Sequence, residues 1–215
     1  FTVPAGSPGV TGLRSLNGRL LIGKASGLFR AALRQGLAAT EEVSPSVGAF
    51  GGASMVVNDN VLFFWGPRGI YAYTGSGVPE WIGAPVRELF QGGAIRRGHA
   101  FVAVGAVNRR RNHVAWTLQL AGSARHRHRV SVELAQNGPR FSRYADPFLT
   151  ALGEVQKPLG EVAAFVGGSD EGFVFWLDRT DTQAVAVNHG ATALTVNGTA
   201  TALAVPVTGT LDTAL

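Results

Sequence analysis

The chain contains no cysteine. That excludes disulfides, thiolate nucleophiles and Cys-based zinc sites together, so stability must come from burial and backbone pairing. Lysine is nearly missing as well: of 19 basic residues only Lys24 and Lys157 are lysines, and the rest are arginines. Charged residues make up 15% of the 215, against a usual share of about 25%, which argues against disorder and against long solvated helices. No run approaches the roughly 20 apolar residues needed to span a bilayer. No basic-then-apolar segment opens the chain as a signal peptide does. A first residue of Phe1 rather than Met is expected of a processed chain or of a piece of a longer one.

What the chain does have is 46% hydrophobic residues, 29 glycines and 10 prolines, spread without a low-complexity tract. Many turns between short elements follow, which points to β structure. The length suffices for a sizeable core, burying roughly 70% of the unfolded chain's surface. A formal net charge of +5 gives weak attraction to polyanions, short-ranged at physiological salt and not a binding site by itself.

Three stretches share one shape: an apolar run, a polar break, glycine, and a second apolar run. They are Leu20 to Arg30, Val61 to Tyr73 and Ala163 to Trp176, with their glycines at Gly27, Gly69 and Gly172. The first spacing is 42 residues and the second 103, close to two further units of about 50, which are blade-sized periods. Asn17-Gly18 and Asn197-Gly198 mark two-residue hairpin turns, since both residue types tolerate positive φ. Between these, Ala100 to Val104, Val114 to Leu120, Arg129 to Leu134 and Arg140 to Tyr144 predict four strands of one antiparallel sheet. Helical signal is thin. Leu28 to Ala39 has helical spacing interrupted by Gly36, and Val86 to Phe90 holds little more than one turn. Residues 189–215 carry one acidic side chain, Asp212, and no Lys or Arg; such a Thr-, Ala- and Val-rich segment forms strands and tends to pair with another chain if left as an edge.

The run Asn60-Val61-Leu62-Phe63-Phe64-Trp65-Gly66-Pro67-Arg68-Gly69-Ile70-Tyr71-Ala72-Tyr73-Thr74-Gly75 resembles segments of β-propeller structural proteins of tailed-phage tails and necks, of the nozzle type. Trp81 to Phe90 is similar to the linker of that group, in which a short helical turn precedes the next blade. Val114-Ala115-Trp116, Val130 to Leu134 and Phe141 to Tyr144 resemble its next blade, with Phe141 standing where the group would have Trp, and Gly168 to Asp178 is similar to the ending of such a unit. The resemblance spans roughly residues 50–182. It implies a multimeric virion component of the channel or nozzle between portal and tail tip, with copies of itself, portal, adaptor or other tail proteins as partners. It carries over no active site, cofactor or metal. About four blade-like units are visible where the group's propellers often have more, so either the ring is small or the chain supplies part of one.

Charged and aromatic clusters supply the candidate sites. In Arg125-His126-Arg127-His128-Arg129 an extended backbone puts the two histidines on one face, as two metal ligands would lie. Three flanking cations and no evident third ligand leave a solvated loop, or a contact with a polyanion or partner, as the better account. Arg109-Arg110-Arg111, with Arg96, Arg97 and His99 nearby, forms a second basic patch. It suits pairing with a neighbour's carboxylates, given arginine's planar fork, better than DNA, although transient contact with DNA in a channel fits it too. Asp170, Glu171, Asp178 and Asp181 lack EF-hand spacing. Glu80, Glu88, Glu133, Glu154 and Glu161 are the only candidates for a paired-carboxylate hydrolase. No Gly-x-Ser-x-Gly elbow, phosphate loop or His-Glu-x-x-His motif is present. Trp65, Tyr71, Tyr73, Trp116 and Trp176 sit in apolar runs and predict core packing, whereas Trp81, in a Pro- and Gly-rich link, is the residue for a sugar platform.

The sequence thus predicts an all-β chain: a β-propeller or partial propeller of about four four-stranded antiparallel blades over 1–188, then an apolar C-terminal β-hairpin and assembly segment over 189–215. The expected role is that of a ring-forming virion structural protein of a tail or neck, not an enzyme, with no membrane partner and no cofactor. Its expected contact residues are Arg109, Arg110, Arg111, Arg125, Arg127 and Arg129 together with the 189–215 segment. The second reading is a glycan- or receptor-binding propeller module of a tail.

Overall fold

The computed structural model describes residues 9–34, 37–91, 103–119, 128–135, 138–145, 149–155, 164–169, 171–177 and 186–188. Turn chemistry sets the first sheet. Asn17 and Gly18 adopt φ of 50° and 70°, the twist that suits a two-residue hairpin, and join β1 (Val10–Leu16) to β2 (Arg19–Lys24). The chain then adds β3 (Leu28–Arg34) and β4 (Leu37–Ser44) in order. The helical spacing over Leu28 to Ala39 is overridden: β3 pairs with β2 on one side and β4 on the other, so its backbone groups are satisfied laterally.

The second sheet is built likewise from β5 (Val56–Asn58), β6 (Val61–Gly66), β7 (Gly69–Tyr73) and β8 (Glu80–Trp81). Its first turn is Asp59-Asn60, with φ of 46° and 61°, a hairpin the glycine pattern does not mark. Its second is Pro67-Arg68, flanked by the Gly66–Gly69 pair. A 3-10 turn over Ala84–Val86 and the short helix α1 (Arg87–Gln91) follow, where the sequence predicts one short helical turn.

The third sheet comprises β9 (Val104–Asn108), β10 (His113–Leu118), β11 (His128–Ala135) and β12 (Gly138–Ala145). The fourth comprises β13 (Leu149–Val155), β14 (Ala164–Ser169), β15 (Phe173–Trp176) and β16 (Ala186–Asn188). Both run in chain order. Three strands of the third sheet lie where expected. Of the strand expected over Ala100 to Val104, residues 100–102 lie outside the described residues; β9 runs on past Val104 to Asn108, whose side chain caps the turn that follows, with Asn112 left-handed at φ 50° on the far side. The fold is therefore mostly β, four antiparallel four-stranded sheets with little helix. The Asn197-Gly198 hairpin and the whole 189–215 segment lie outside the described residues.

The described residues form two compact units, the first ending at Gly105 and the second beginning at Ala106, with Gln119 belonging to the first. In the first unit two sheets share a core: Leu16, Leu21 and Leu28 meet Leu62, Phe64, Tyr71 and Tyr73, with Ala49 and Met55 from the connection between the sheets. Strand β6 is buried from Leu62 to Gly66, so both of its faces are covered. On its other face Trp65 packs on Phe90 of α1 with ring centroids 4.6 Å apart. Polar bonds register the layers. Arg14 donates from Nε to the Met55 carbonyl at 2.7 Å and from Nη2 to that of Gly52 at 3.0 Å, and the Thr11 hydroxyl donates to the Ala49 carbonyl at 2.6 Å.

In the second unit the core joins Ala115 of β10 to Leu149, Phe165 and Leu177, with Ala106, Leu152 and Phe175 packed against it. Strand β10 repeats the pattern of β6, buried from Val114 to Leu118.

Close approach of backbones fixes one glycine in the first unit. A Cβ on Gly12 would stand 2.4 Å from the Gly52 Cα and 2.8 Å from the Met55 sulfur. Gly12→Ala should lower stability by about 1–3 kcal/mol in urea unfolding, the usual penalty of overpacking. Gly9→Ala, with nothing within 4 Å, should stay within about 0.5 kcal/mol of the parent.

Candidate interaction surface

The Arg109–Arg111 run forms one 3-10 turn between β9 and β10. The Asn108 side chain accepts a hydrogen bond from the Arg111 backbone N–H at 3.3 Å and so caps it. Glu154 on β13 receives Arg109 twice: the backbone N–H donates to Oε1 at 2.9 Å, and the guanidinium Nη1 donates to Oε2. The carboxylate is well covered, with 10% of its side chain exposed, whereas the Arg109 side chain is 77% exposed. Arg109 is thus engaged inside its own unit and ties the turn to the fourth sheet. Arg110, at the tip, faces solvent.

Arg125 and Arg127 lie outside the described residues, as does His126. Arg129 departs from the expectation of an exposed contact. It lies in β11, is 1% exposed, and places its guanidinium 4.1 Å over the Tyr144 ring and 6.0 Å from that of Phe165. Register explains this: Arg129 stands opposite Thr117 on one side and Tyr144 on the other, in the middle of its sheet. The partner-facing role assigned to it is therefore replaced by stacking within the unit.

Aromatic residues divide in a way the apolar runs do not show. Trp65, Tyr71, Tyr73 and Trp116 are buried. Trp176, expected in the core, is 40% exposed. It shares a sheet face with two other exposed apolar residues, Val155 at 52% and Val174 at 41%. Pairing of Val166 with Trp176 and of Gly168 with Val174 keeps charge off the neighbouring positions. Trp81, the sugar-platform candidate, is taken up internally: its indole N–H donates to the Arg68 carbonyl at 3.0 Å, and the Arg68 guanidinium lies 4.5 Å over its ring.

Among the described residues no three His, Asp or Glu side chains come together as a metal site would require; Asp170, Asp178 and Asp181 lie outside them. Of the glutamates, Glu154 is bound to Arg109, and Glu133 faces His113 at 3.8 Å across the β10–β11 pair. No helix among the described residues is long and apolar enough to cross a membrane.

One feature escaped the sequence. In the first unit a cavity of about 380 Å³ opens between the Asn17-Gly18 turn and the connection after β7, lined by Asn17, Arg19, Arg30, Thr74 and Ser76 over buried Leu16 and Leu21. Arg30 is fixed there: Nη1 donates to the Gly75 carbonyl at 2.8 Å and Nη2 binds Glu41, which raises the arginine's pKa despite the opposing effect of burial. The only sequence signal was the polar Gly75-Ser76-Gly77 stretch, which marks a tip but not what faces it. No protein-family model matches the chain, and no curated protein matches it either.

The Glu154 contact is testable on its own. Glu154→Gln should cost about 0.5–1.5 kcal/mol by thermal or urea unfolding, discounted for the exposure of Arg109. Arg110→Ala should leave stability within about 0.5 kcal/mol of the parent.

Proposed function

We propose that the four sheets are successive blades of a β-propeller, or of a large portion of one. In this reading the chain is a ring-forming structural subunit of a tailed-phage tail or neck, in its channel or nozzle. The observation that carries the reading is repetition: four consecutive four-stranded antiparallel sheets, each built in chain order, which is how propeller blades are made. Burial supports it, since β6 and β10 are covered on both faces, as a blade flanked by neighbours must be. The uncharged exposed face around Val174 and Trp176 is the kind of patch that marks contact with another protein.

The role is mechanical. Further copies of the chain close the ring, and portal, adaptor or other tail proteins stack on it. Arg110 and the unassigned arginines of residues 120–127 meet carboxylates of neighbours or, transiently, DNA in the channel. The location is the virion, and the reading assigns no catalysis and no cofactor.

Light scattering coupled to size exclusion, with electron microscopy of the same sample, tests this reading. The full chain should form rings of several copies. Trp176→Asp should shift it toward monomer with an unchanged circular dichroism spectrum, and truncation after Asn188 should leave the sheets folded but weaken assembly. A full chain that stays monomeric at high concentration contradicts the proposal.

A further inference from the structure

Register divides the fourth sheet into two faces. Leu152, Phe165 and Phe175 lie on the one that builds the core of the second unit. On the other, Ala151 stands beside Gly168 and Val174, and Gly153 beside Val166 and Trp176, with Val155 next along β13. No charged side chain occupies any of these positions. Ala151, Val155, Val174 and Trp176 are nonetheless exposed, Val155 at 52% and Trp176 at 40%. Apolar area of this kind is stabilised by being covered.

The chain that follows the sheet suits that face. Strand β16 ends at Asn188, opposite Phe173, next to the strand that carries Val174 and Trp176. Residues 189–215 then hold no Lys or Arg and one acidic side chain, Asp212, so laying them on apolar surface desolvates little charge. A two-residue turn at Asn197-Gly198 pairs Val196 with Thr199, Leu194 with Thr201 and Thr192 with Leu203. That brings Leu194, Val196 and Leu203 to one face and leaves Ala193, Thr195, Ala200 and Ala202 on the other.

We propose that the hairpin of residues 192–203 folds back over its own fourth sheet, with Leu194, Val196 and Leu203 against Val155, Val174 and Trp176. The dimensions agree. Residues 189–191 reach about 10 Å when extended, which is about the spacing of stacked sheets. Strands over 192–196 and 199–203 are about 17 Å long, and the stretch from Ala151 to Val155 that they cover is about 14 Å. Tethering decides between this occupant and a second copy: a short link holds the segment at an effective concentration of about millimolar, above that of other copies in dilute solution. The inference goes beyond the ring reading and does not depend on it, because a monomer has both sheet and segment. Within a ring, the Ala- and Thr-rich outer face of the hairpin is what meets the neighbour, and Trp176→Asp weakens assembly by undocking the hairpin.

Hydroxyl-radical labelling, read residue by residue by mass spectrometry, tests the contact. Trp176 should label slowly in the full chain and severalfold faster after truncation at Asn188. Trp116, buried in the third sheet, should stay protected in both and so reports that the sheets remain folded. Leu194→Asp at full length should speed Trp176 labelling as truncation does, and Ala193→Asp, on the opposite face of the hairpin, should not. If truncation exposes Trp116 as well, this pair of variants decides alone. Protection of Trp176 should persist on dilution to monomer. Fast Trp176 labelling in the full chain, or equal effects of Leu194→Asp and Ala193→Asp, would overturn the proposal. Protection lost on dilution would overturn it too, by giving the face to a neighbouring copy. Rings whose Trp176 stays reactive remove this contact and leave the ring reading standing, and a monomer with Trp176 protected does the reverse.

Discussion

Coverage of β6 on both faces is the constraint on which the first unit depends. Leu62 and Phe64 face the core shared with the first sheet, while Trp65 faces Phe90. A strand with apolar side chains on both sides cannot lie at a surface, so something must be laid over each face. In this chain one cover is a sheet and the other includes the short helix α1, held close because Gly69, at φ +119°, leaves room for the Phe90 ring. Strand β10, buried from Val114 to Leu118, imposes the same demand in the second unit. With no cysteine to staple the chain, this burial and the ladders beside it hold each unit together.

The polar contacts then serve register more than strength. Arg14 and Thr11 bind backbone carbonyls of the connection between the first two sheets, and Arg109 donates to the Glu154 carboxylate on β13, tying the turn after β9 to the fourth sheet. Each of these fixes where one layer sits along the next, a service that a non-directional hydrophobic contact does not provide. The exposed part of the Arg109–Glu154 pair is screened by solvent, and its value lies in geometry.

Much of the β architecture was legible because the chain repeats its central hairpin. Gly27, Gly69 and Gly172 mark the β2–β3, β6–β7 and β14–β15 connections, each joining the second and third strands of a sheet. The third sheet has no such mark, because β10 and β11 are joined by the longer polar stretch through residues 120–127, and it was read from its strands instead. The Asp59-Asn60 turn was missed since neither residue is glycine, although both adopt positive φ. The strand expected to end at Val104 runs on to Asn108, because an apolar run does not show where a polar cap ends it. Arg129 was misjudged for a related reason. Five consecutive Arg and His residues look solvated, and the burial of one of them depends on Tyr144, which comes beside it only through the β11–β12 register. Trp176 errs the other way: its apolar run gives no sign that the ring stays 40% exposed. The cavity near Arg19 joins residues more than 50 positions apart, and no local pattern encodes such a meeting.

Native-state hydrogen exchange, resolved to single amides, tests the central claim most directly. If double-sided burial of β6 and β10 organises the two units, amides of Leu62 to Trp65 and Val114 to Thr117 should be the slowest in their units, exchanging only through global opening. Amides of the edge strand β8 should exchange faster by orders of magnitude. Equal protection across edge and inner strands, or fast exchange throughout β6 and β10, would contradict the account.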